Sequence, residues 1–475
     1  MQTSEKFKIE TFSALKDRQL RSNYRKAMDG LIEKRINVFQ DFDEWQNLRN
    51  LGYLSRKKSL DNLPDLLEKL ESNCKKNSIH VHWAENTFDA NDIVLEIAKN
   101  AGVERVVKGK SMVSEEIGLN EFLQKNGIEI LESDLGEYII QLANELPSHI
   151  IMPAIHKNKD QISKIFYEKV DPKNQPDTAE EMTLIARKIL REKFYNADMG
   201  ISGVNFAIAE TGTLCLVENE GNGRFCTTLP PIHIAVMGIE KIVEKLCDIP
   251  PLLALLTRSA TGQDITTYVN MITSPRKLNE KDGPQEVHLI LLDNGRSRMF
   301  EDQLLSDTLL CIRCGACMNH CPVYSRIGGH TYNSPYPGPI GKIITPQIND
   351  LNDSGHLAEA SSLCGACVEV CPVKIPITDI LLRLRQKKLT KKFEIGKIDL
   401  NFWKQIKLIV VWKIWLIIFS NPILYKLKSL FLSKIISILP NWFPIISEWT
   451  LVRTLPKFPN KSLHILVKEK GISEE

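Results

Sequence analysis

The sequence predicts an α/β domain in the middle of the chain, preceded by helices and followed by a loop-rich region that carries most of the cysteines, with a helical tail at the end. Its 475 residues leave room for two to four domains. A hydrophobic fraction of 43% and a charged fraction of 25% are ordinary for a globular protein, so disordered, collagen-like and coiled-coil classes are excluded for the chain as a whole. Seven of its 11 cysteines fall between Cys311 and Cys371.

The net charge and the distribution of cysteines indicate which kind of partner to expect and which cell compartment the protein occupies. The 61 basic and 58 acidic residues give a net charge of +3, which is no electrostatic reason to expect nucleic acid as a partner. The first residues contain no apolar signal segment, so we expect a cytoplasmic protein. Thiols stay reduced in the cytosol, and clustered cysteines there indicate metal rather than disulfides. The four scattered cysteines are interpreted as structural or incidental: Cys74, Cys215, Cys226 and Cys247.

The first two predicted regions follow from hydrophobic periodicity. Residues 1–75 show apolar residues at helical spacing with Lys and Arg between them, which predicts helices with a solvated polar face. Residues 76–300 alternate short β-like runs with helical patterns, which predicts an α/β layered domain. Its strand candidates are Ser78–Trp83, Val103–Val107, Ile128–Leu131 and Ile232–Met237, with a helix over Ala90–Ala101 and a hairpin over Phe206–Val217 that turns near Thr211 and Gly212.

The third predicted region, residues 301–390, begins with a cysteine motif of spacing C-x2-C-x2-C-x3-C-P. The short steps let successive thiolates wrap one iron–sulfur cubane, and in two-cluster ferredoxins the Cys before Pro binds the other cluster. Zinc is the competitor for four cysteines, but zinc sites seldom pack three of them at consecutive x2 steps before Cys-Pro. The motif therefore predicts an iron–sulfur site; its members are Cys311, Cys314, Cys317 and Cys321.

A second copy of the motif contains Cys364, Cys367 and Cys371 but has Ser361 where its first cysteine would stand. Crossed ligation then predicts two clusters, most simply [4Fe-4S], in a double ferredoxin-type domain. Cluster 1 takes Cys311, Cys314, Cys317 and Cys371, whereas cluster 2 takes Cys321, Cys364 and Cys367. Cluster 2 therefore contains only three iron atoms, or leaves one of its four irons without a protein ligand, or takes a fourth ligand from outside the motif. The candidates for that fourth ligand are Ser361, His356 and His330. Two clusters suit a one-electron relay.

The fourth predicted region, residues 391–475, is basic and apolar together and is expected to be helical. Lysines and prolines interrupt its uncharged runs, so no spanning helix is predicted. Five of the seven tryptophans lie here, from Trp403 to Trp449, and Trp with Lys suits a membrane surface. The alternatives are peripheral membrane association and a hairpin packed on the protein or a partner.

Five further segments, which together span most of the chain, are distinctive: Lys110–Glu116, Gly200–Thr213, Asn219–Phe225, the loop Pro335–Gly341 and the tail segment Glu448–Arg453. They resemble the lactate-utilisation protein B family, the iron–sulfur protein of bacterial lactate utilisation. The resemblance implies a central domain of the sugar-phosphate isomerase and CoA-transferase-like group. It also implies work beside two companion lactate-utilisation proteins that together oxidise L-lactate to pyruvate. Combined with the two clusters, this leads us to expect an electron-transfer component that relays electrons from a partner to an acceptor that is membrane- or quinone-linked.

Two other functions stay open at this point. One is a relay for another 2-hydroxy acid or for glycerol 3-phosphate. The other is a CoA-transferase- or isomerase-like enzyme in the central domain with structural or regulatory clusters, for which Glu210 is the acidic candidate. A pocket for a small carboxylate or phosphate would use Lys108, Lys110 and the amides near Gly212, with a ligand or partner surface and a plain scaffold as the alternatives. No flavin, P-loop or dinucleotide fingerprint is present, so a hydride acceptor is expected on a partner.

Overall fold

The computed structural model describes residues 3–394, 402–425, 466–467 and 469–470. The chain divides into two compact units, Met1–Lys388 and Leu389–Glu475. The first unit includes the N-terminal helices, the α/β layers and the cysteine region.

Two of the four N-terminal helices begin at an aspartate whose side chain caps the first turn. The Asp17 carboxylate accepts from Leu20 N at 2.9 Å, and Asp41 accepts from Asp43 N at 2.9 Å, which satisfies amides that a helix start leaves free. The helices are α1 (Thr3–Lys16), α2 (Arg18–Val38), α3 (Phe42–Asp61) and α4 (Leu63–Lys76).

Ten strands form two sheets within the described residues. They are β1 (His80–Ala84), β2 (Arg105–Lys108), β3 (Glu129–Glu132), β4 (Met199–Gly203), β5 (Phe206–Ile208), β6 (Thr213–Glu218), β7 (Ile232–Gly238), β8 (Ile242–Val243), β9 (Tyr268–Ile272) and β10 (Glu286–Leu292). The larger sheet has the order β1-β10-β7-β4-β2-β3 and is parallel throughout. The smaller sheet has the order β8-β5-β6-β9. The α/β prediction for the central region is confirmed.

Connectivity around β2 creates a switch point in the large sheet. After β2 the chain moves outward to β3, and it then returns to place β4 on the other side of β2. Neighbouring connections therefore leave β2 and β4 in opposite directions, which opens a crevice at the carboxyl ends of these two strands. In parallel sheets ligands bind in such crevices.

Helices cover the large sheet on both faces, as its strands require. The strand β7 is buried along its whole length, so its side chains are mostly apolar on both faces of the sheet. Ile234 and Val236 pack with Val94 of a neighbouring helix, whereas Ala235 and Met237 face the opposite core with Leu70 of α4. The helices of this region are α5 (Thr87–Asn100), α6 (Met112–Glu116), α7 (Leu119–Lys125), α8 (Leu135–Ala143), α9 (Lys159–Lys169), α10 (Ala179–Tyr195), α11 (Asn222–Thr228) and α12 (Ile249–Thr261).

The predicted hairpin is formed by β5 and β6, which pair antiparallel. Gly212 at the turn has φ +64°, a left-handed conformation that favours glycine. A Cβ at Gly212 would lie 2.7 Å from the backbone of Asn73, so the close approach of α4 also requires glycine there.

The cysteine region consists mostly of single helical turns, together with two longer helices, and it shares its core with the N-terminal helices. Apolar side chains of this core come from α2, α12 and the cysteine loops, among them Met28, Leu255 and Ile343. The helices are α13 (Gln303–Ser306), α14 (Ala316–Asn319), α15 (Tyr324–Ile327), α16 (Gly338–Ile348), α17 (Leu351–Ser354), α18 (His356–Glu359), α19 (Ala366–Glu369) and α20 (Ile377–Glu394). Short 3₁₀ turns lie at Ile239–Lys241, Leu246–Asp248, Ser297–Glu301, Asp307–Leu310 and His330–Tyr332.

The second unit contains the helix α21 (Phe402–Ser420). Apolar side chains along it are exposed, including Val411 at 62% and Trp412 at 58%. Among the described residues no helix is both long and apolar enough to cross a membrane. The predicted tail features at Trp442 and Glu448–Arg453 lie outside the described residues.

Candidate iron–sulfur sites and central cavity

The two cysteine motifs fold into the same local conformation. Each central cysteine lies between two residues with positive φ: Arg313 at 61° and Gly315 at 86° around Cys314, and Leu363 at 55° and Gly365 at 84° around Cys364. A one-turn helix follows in both copies. Turns of this kind point successive backbone N–H groups into one concavity, which favours an anionic group such as an iron–sulfur cluster.

Seven cysteines separate into two cavities. One cavity is lined by Cys311, Cys314, Cys317 and Cys371, together with apolar residues such as Ile312 and Ile340. The other is lined by Cys321, Cys364 and Cys367, with Ser361, His320 and Lys342. The last cysteine of each motif therefore lies with the first cysteines of the other motif. Both cavities belong to the first unit.

The grouping of the thiols in threes and fours matches the donor set of a cluster. Burial, followed by the neighbouring Cys321 and Cys364, raises the pKa of the Cys367 thiol to about 12. Burial also raises the pKa of Cys371 to about 11. Such thiols stay protonated at neutral pH unless a cationic centre takes the thiolates. Soft thiolates grouped in threes and fours select iron–sulfur clusters or zinc.

Backbone and side-chain donors reach the sulfurs of both sets. Arg313 N donates to Cys311 Sγ at 3.4 Å, and Ile375 N donates to Cys371 Sγ at 3.4 Å. In the second set the ammonium of Lys342 donates to Cys321 Sγ at 3.6 Å. Hydrogen bonds and charges at the sulfurs stabilise the thiolate form and raise the reduction potential of a bound cluster.

Of the three candidates for a fourth ligand to cluster 2, Ser361 lines the cavity. Its hydroxyl accepts a hydrogen bond from Leu363 N at 3.2 Å. His356 is instead engaged with the carbonyl of Asp353 at 3.1 Å, and His330 is engaged with the carbonyl of Leu146 at 2.6 Å. Neither histidine lines the cavity. His320, which directly precedes Cys321, lines the cavity but was not among the predicted candidates.

The sequence did not indicate three basic side chains that lie beside the cysteine loops, because these residues stand outside the cysteine motifs. Arg49 on α3 donates to the carbonyl of Cys371 at 2.9 Å and to that of Val368 at 3.2 Å. Arg56, also on α3, is 1% exposed and donates to carbonyls of the loop before Cys311. Lys342 is also 1% exposed. Basic residues of α3 were interpreted as a solvated face, and helical periodicity alone cannot distinguish a solvated Arg from one that enters a neighbouring loop.

A separate cavity of about 370 Å³ lies at the carboxyl ends of β2 and β4. Its lining includes Lys110, Asp134, Glu218, Lys241, Arg313 and Cys314. The cavity therefore joins the switch point of the large sheet to the first cysteine set.

The residues predicted to form a central pocket are only partly brought together. Lys110 lines the cavity, but Lys108 is fully buried against Glu115 at 2.9 Å and Glu132 at 2.8 Å. The Gly212 amide donates to the carbonyl of Ile208 at 2.9 Å within the hairpin and is absent from the cavity lining. Glu210 lies outside the cavity as well, where its carboxylate accepts from Leu246 N at 3.2 Å. The prediction is wrong for Lys108 and Gly212, because ion pairing and turn closure use these groups.

Comparison with known proteins agrees with this organisation. Three family descriptions match the chain: LUD domain at residues 67–292, 4Fe-4S dicluster domain at residues 307–375, and Lactate utilisation protein B, C-terminal, at residues 402–472. Lactate utilization protein B of Bacillus licheniformis is 41% identical over 466 residues, which cover 97% of this chain and 95% of that protein. The chain belongs to the lactate-utilisation protein B family.

Other relatives show similar coverage. The Macrococcus caseolyticus protein of the same name is 46% identical over 386 residues, or 81% of this chain and 80% of that protein. A protein of Escherichia coli K12 called uncharacterized electron transport protein YkgF is 40% identical over 479 residues, or 99% of this chain and 98% of that protein. The predicted family is confirmed, and the predicted iron–sulfur region is confirmed as a 4Fe-4S dicluster domain.

Proposed function

We propose that this protein is the iron–sulfur electron-transfer component of L-lactate oxidation to pyruvate. The observation that carries the proposal is the pair of cysteine-lined cavities within one unit, each built with the last cysteine of the opposite motif. Conversion of L-lactate to pyruvate releases two electrons and two protons. Two clusters would accept these electrons singly from a partner and pass them to an acceptor.

The proposed ligand assignment follows the two cavities. Cluster 1 would be held by Cys311, Cys314, Cys317 and Cys371, all of which line one cavity. Cluster 2 would be held by Cys321, Cys364 and Cys367. We propose Ser361 as the fourth side chain at cluster 2, since it lines that cavity while His330 and His356 do not. When bound, each cluster supplies one-electron chemistry, and the protein supplies position, hydrogen bonds and charge.

The companions of this chain are inferred from the names of its relatives. Relatives called lactate utilization protein B support a partnership with other lactate-utilisation proteins. One such companion would carry the hydride acceptor. The central domain is proposed to have the sugar-phosphate isomerase and CoA-transferase-like fold, supported by its parallel sheet with a small second sheet. The position of Glu210 outside the cavity favours the relay over a transferase that uses this carboxylate.

Growth on L-lactate tests the proposal. Deleting the gene in its host, with no second copy present, is expected to abolish growth on L-lactate and to spare growth on pyruvate. Expression of the unchanged gene should restore growth, whereas Cys314→Ser should not, because it removes a proposed cluster ligand. Glu210→Ala is the comparison variant and is expected to have a smaller effect.

Two outcomes would contradict the proposal. If Cys314→Ser supports growth and Glu210→Ala does not, the central domain is the enzyme and the clusters are accessory. If the deletion strain grows normally on L-lactate but fails on another 2-hydroxy acid or on glycerol 3-phosphate, the relay serves that substrate instead.

We also propose that the tail binds the surface of an anionic membrane, where a quinone-linked acceptor is found. The support is the exposed apolar surface of α21, for example Leu416 at 61% exposure, with Lys413 on the same helix and further lysines nearby in the sequence. A helix that is apolar on all sides is not expected to remain in water. Each lysine near an anionic surface contributes on the order of 1 kcal/mol, and salt screens this attraction.

Vesicle co-sedimentation checks the membrane proposal. The full chain is expected to sediment with anionic phosphatidylserine vesicles at low salt and to bind less at high salt. Trp412→Glu with Leu416→Glu should reduce binding strongly, while Leu278→Glu, a change at an exposed leucine outside α21, should not. Equal sedimentation with and without anionic vesicles would refute the membrane proposal and leave the alternative of a hairpin packed on the protein or on a partner.

A further inference from the structure

The cavity at the switch point of the large sheet has no role in the relay as proposed. It is formed where β2 and β4 end, by the segments Gly109–Val113 and Ser202–Asn205. Its volume of about 370 Å³ falls within the range of sites that hold small molecules. Crevices at the carboxyl ends of parallel strands, at a switch point, are where α/β sheets bind ligands.

One wall of this cavity is shared with the proposed site of cluster 1. Arg313 and Cys314 line both spaces, and Ile150 does so as well. A molecule in the cavity would therefore lie directly beside a ligand of cluster 1. A second cavity on the large sheet, lined by Arg105 and Glu192 among others, has no cluster cysteine in its lining.

Arg313, which lines both spaces, carries a donor without a partner in the described part of the chain. Its side chain is 10% exposed, its guanidinium lies 4.8 Å from the ring centre of Tyr336, and one nitrogen approaches Glu240 at 3.4 Å. The other terminal nitrogen, Nη1, is buried with no hydrogen-bond partner among the described residues. A buried guanidinium nitrogen without a partner is costly, and a carboxylate or phosphate would satisfy it.

A second cation, Lys110, faces the cavity from the end of β2. Its ammonium donates to Asp134 Oδ2 at 2.7 Å and to the carbonyl of Ile151 at 3.2 Å, which uses two of its three N–H groups. Both of its partners belong to the protein, so the side chain is held in place before a ligand arrives.

The acidic residues of the lining are already engaged. The Glu218 carboxylate accepts from Gly223 N and from Arg224 N, each at 2.7 Å, and from the Asn270 amide at 3.0 Å. Asp134 is paired with Lys110, and Glu220 accepts a hydrogen bond from Leu135 N at 3.3 Å. Unused hydrogen-bonding capacity therefore lies with the cations, and the cavity favours an anion.

We infer that this cavity binds a small organic carboxylate of the 2-hydroxy or 2-oxo acid class, with Arg313 and Lys110 holding the carboxylate beside cluster 1. The preference for an anion follows from the cavity itself. The choice of a 2-hydroxy or 2-oxo acid rests on the proposed function. Arg313 is then a binding residue that links the ligand to the cluster environment.

The test uses the full chain with both clusters loaded under anaerobic conditions. Calorimetric titration is expected to show binding of L-lactate and of pyruvate, with inorganic phosphate as the competing anion. Arg313→Met and Lys110→Met should each weaken the affinity roughly tenfold to a hundredfold, since each removes a charged hydrogen bond. Arg105→Met is the matched control, because Arg105 pairs with Asp198 and is absent from the cavity lining.

A spectroscopic readout separates ligand binding from damage to the cluster. L-lactate is expected to change the paramagnetic resonance signal of reduced cluster 1, and this change should be lost in Lys110→Met, in which the cluster-flanking arginine is intact. Unaltered affinity in both variants would overturn the inference, as would binding of phosphate but not of either organic acid. If Arg313→Met alters the cluster signal but not the affinity, the arginine serves the cluster and the inference also fails.

Failure of this inference can be distinguished from failure of the proposed function. If the protein binds no ligand but its clusters still accept electrons, the inference fails and the relay stands. If the clusters cannot be reduced, the relay is refuted, and the ligand site in the cavity is not.

Discussion

Replacing Cys371 with serine is expected to destroy the same cluster as replacing Cys314, although the two residues belong to different motifs. Both line the cavity that also contains Cys311 and Cys317. Loss of one thiolate from a four-cysteine set removes a ligand that a serine hydroxyl replaces weakly. Iron is expected to fall from about 7 or 8 atoms per chain to about 3 or 4, with a matching loss of acid-labile sulfide.

Paramagnetic resonance of the reduced variants distinguishes the two sites. Cys371→Ser and Cys314→Ser should lose one signal, and Cys321→Ser and Cys364→Ser should lose the other. Cys226→Ser is a matched control, because this buried cysteine lies beside Ser133 at 3.3 Å and outside both cysteine cavities. If Cys371 and Cys364 variants lose the same signal, the crossed assignment is wrong. Stoichiometric zinc without sulfide in the unchanged protein would refute both clusters.

The cysteine motifs were readable from the sequence because their chemistry depends on local spacing. Residues separated by only two or three others are placed by the backbone of a single turn, and the left-handed Gly315 and Gly365 repeat this turn in both copies. The hairpin of β5 and β6 was predictable for the same reason, since its two strands are adjacent in the chain.

The order of the large sheet was not predictable from these local signals. The strand β1 pairs with β10, about 200 residues later, and β2 lies between β3 and β4. Pairing of parallel strands through long crossovers leaves no short-range signature. The cavity at the switch point depends on that strand order. Its lining contains Lys110 and Arg313, whereas the sequence predicted a pocket formed by Lys110 with Lys108 and the amides near Gly212.

The cations around the clusters were missed for a related reason. A helical pattern shows which residues share a face, but it does not show what packs against that face. Arg49 and Arg56 lie on α3, and both donate to carbonyls in or beside the cysteine motifs. The N-terminal helices are therefore part of the framework that holds the cluster loops.

Replacing Arg56 with methionine is expected to destabilise the cluster-bearing unit by about 3 kcal/mol or more, since it deletes several buried charged hydrogen bonds at once. The guanidinium donates to the carbonyls of Ile242 at 2.7 Å, Leu309 at 3.0 Å and Leu310 at 3.3 Å, and also to that of Glu240. Burial lowers the pKa of Arg56 to about 10, so the side chain remains charged at neutral pH. Methionine fills similar space but leaves these buried carbonyls without a donor.

Denaturant unfolding of the loaded protein, followed by the visible absorbance of its clusters, measures this effect. The midpoint for Arg56→Met should fall well below that of the unchanged chain, with cluster loss and unfolding at the same concentration. Lys58→Met is the matched control on the same helix, since Lys58 forms a surface ion pair with Glu244 and such pairs contribute little. An unchanged midpoint for Arg56→Met would mean that α3 does not support the loop before Cys311. Loss of helix signal at low denaturant while the clusters persist would mean that the N-terminal helices fold independently, because a shared framework must lose both together.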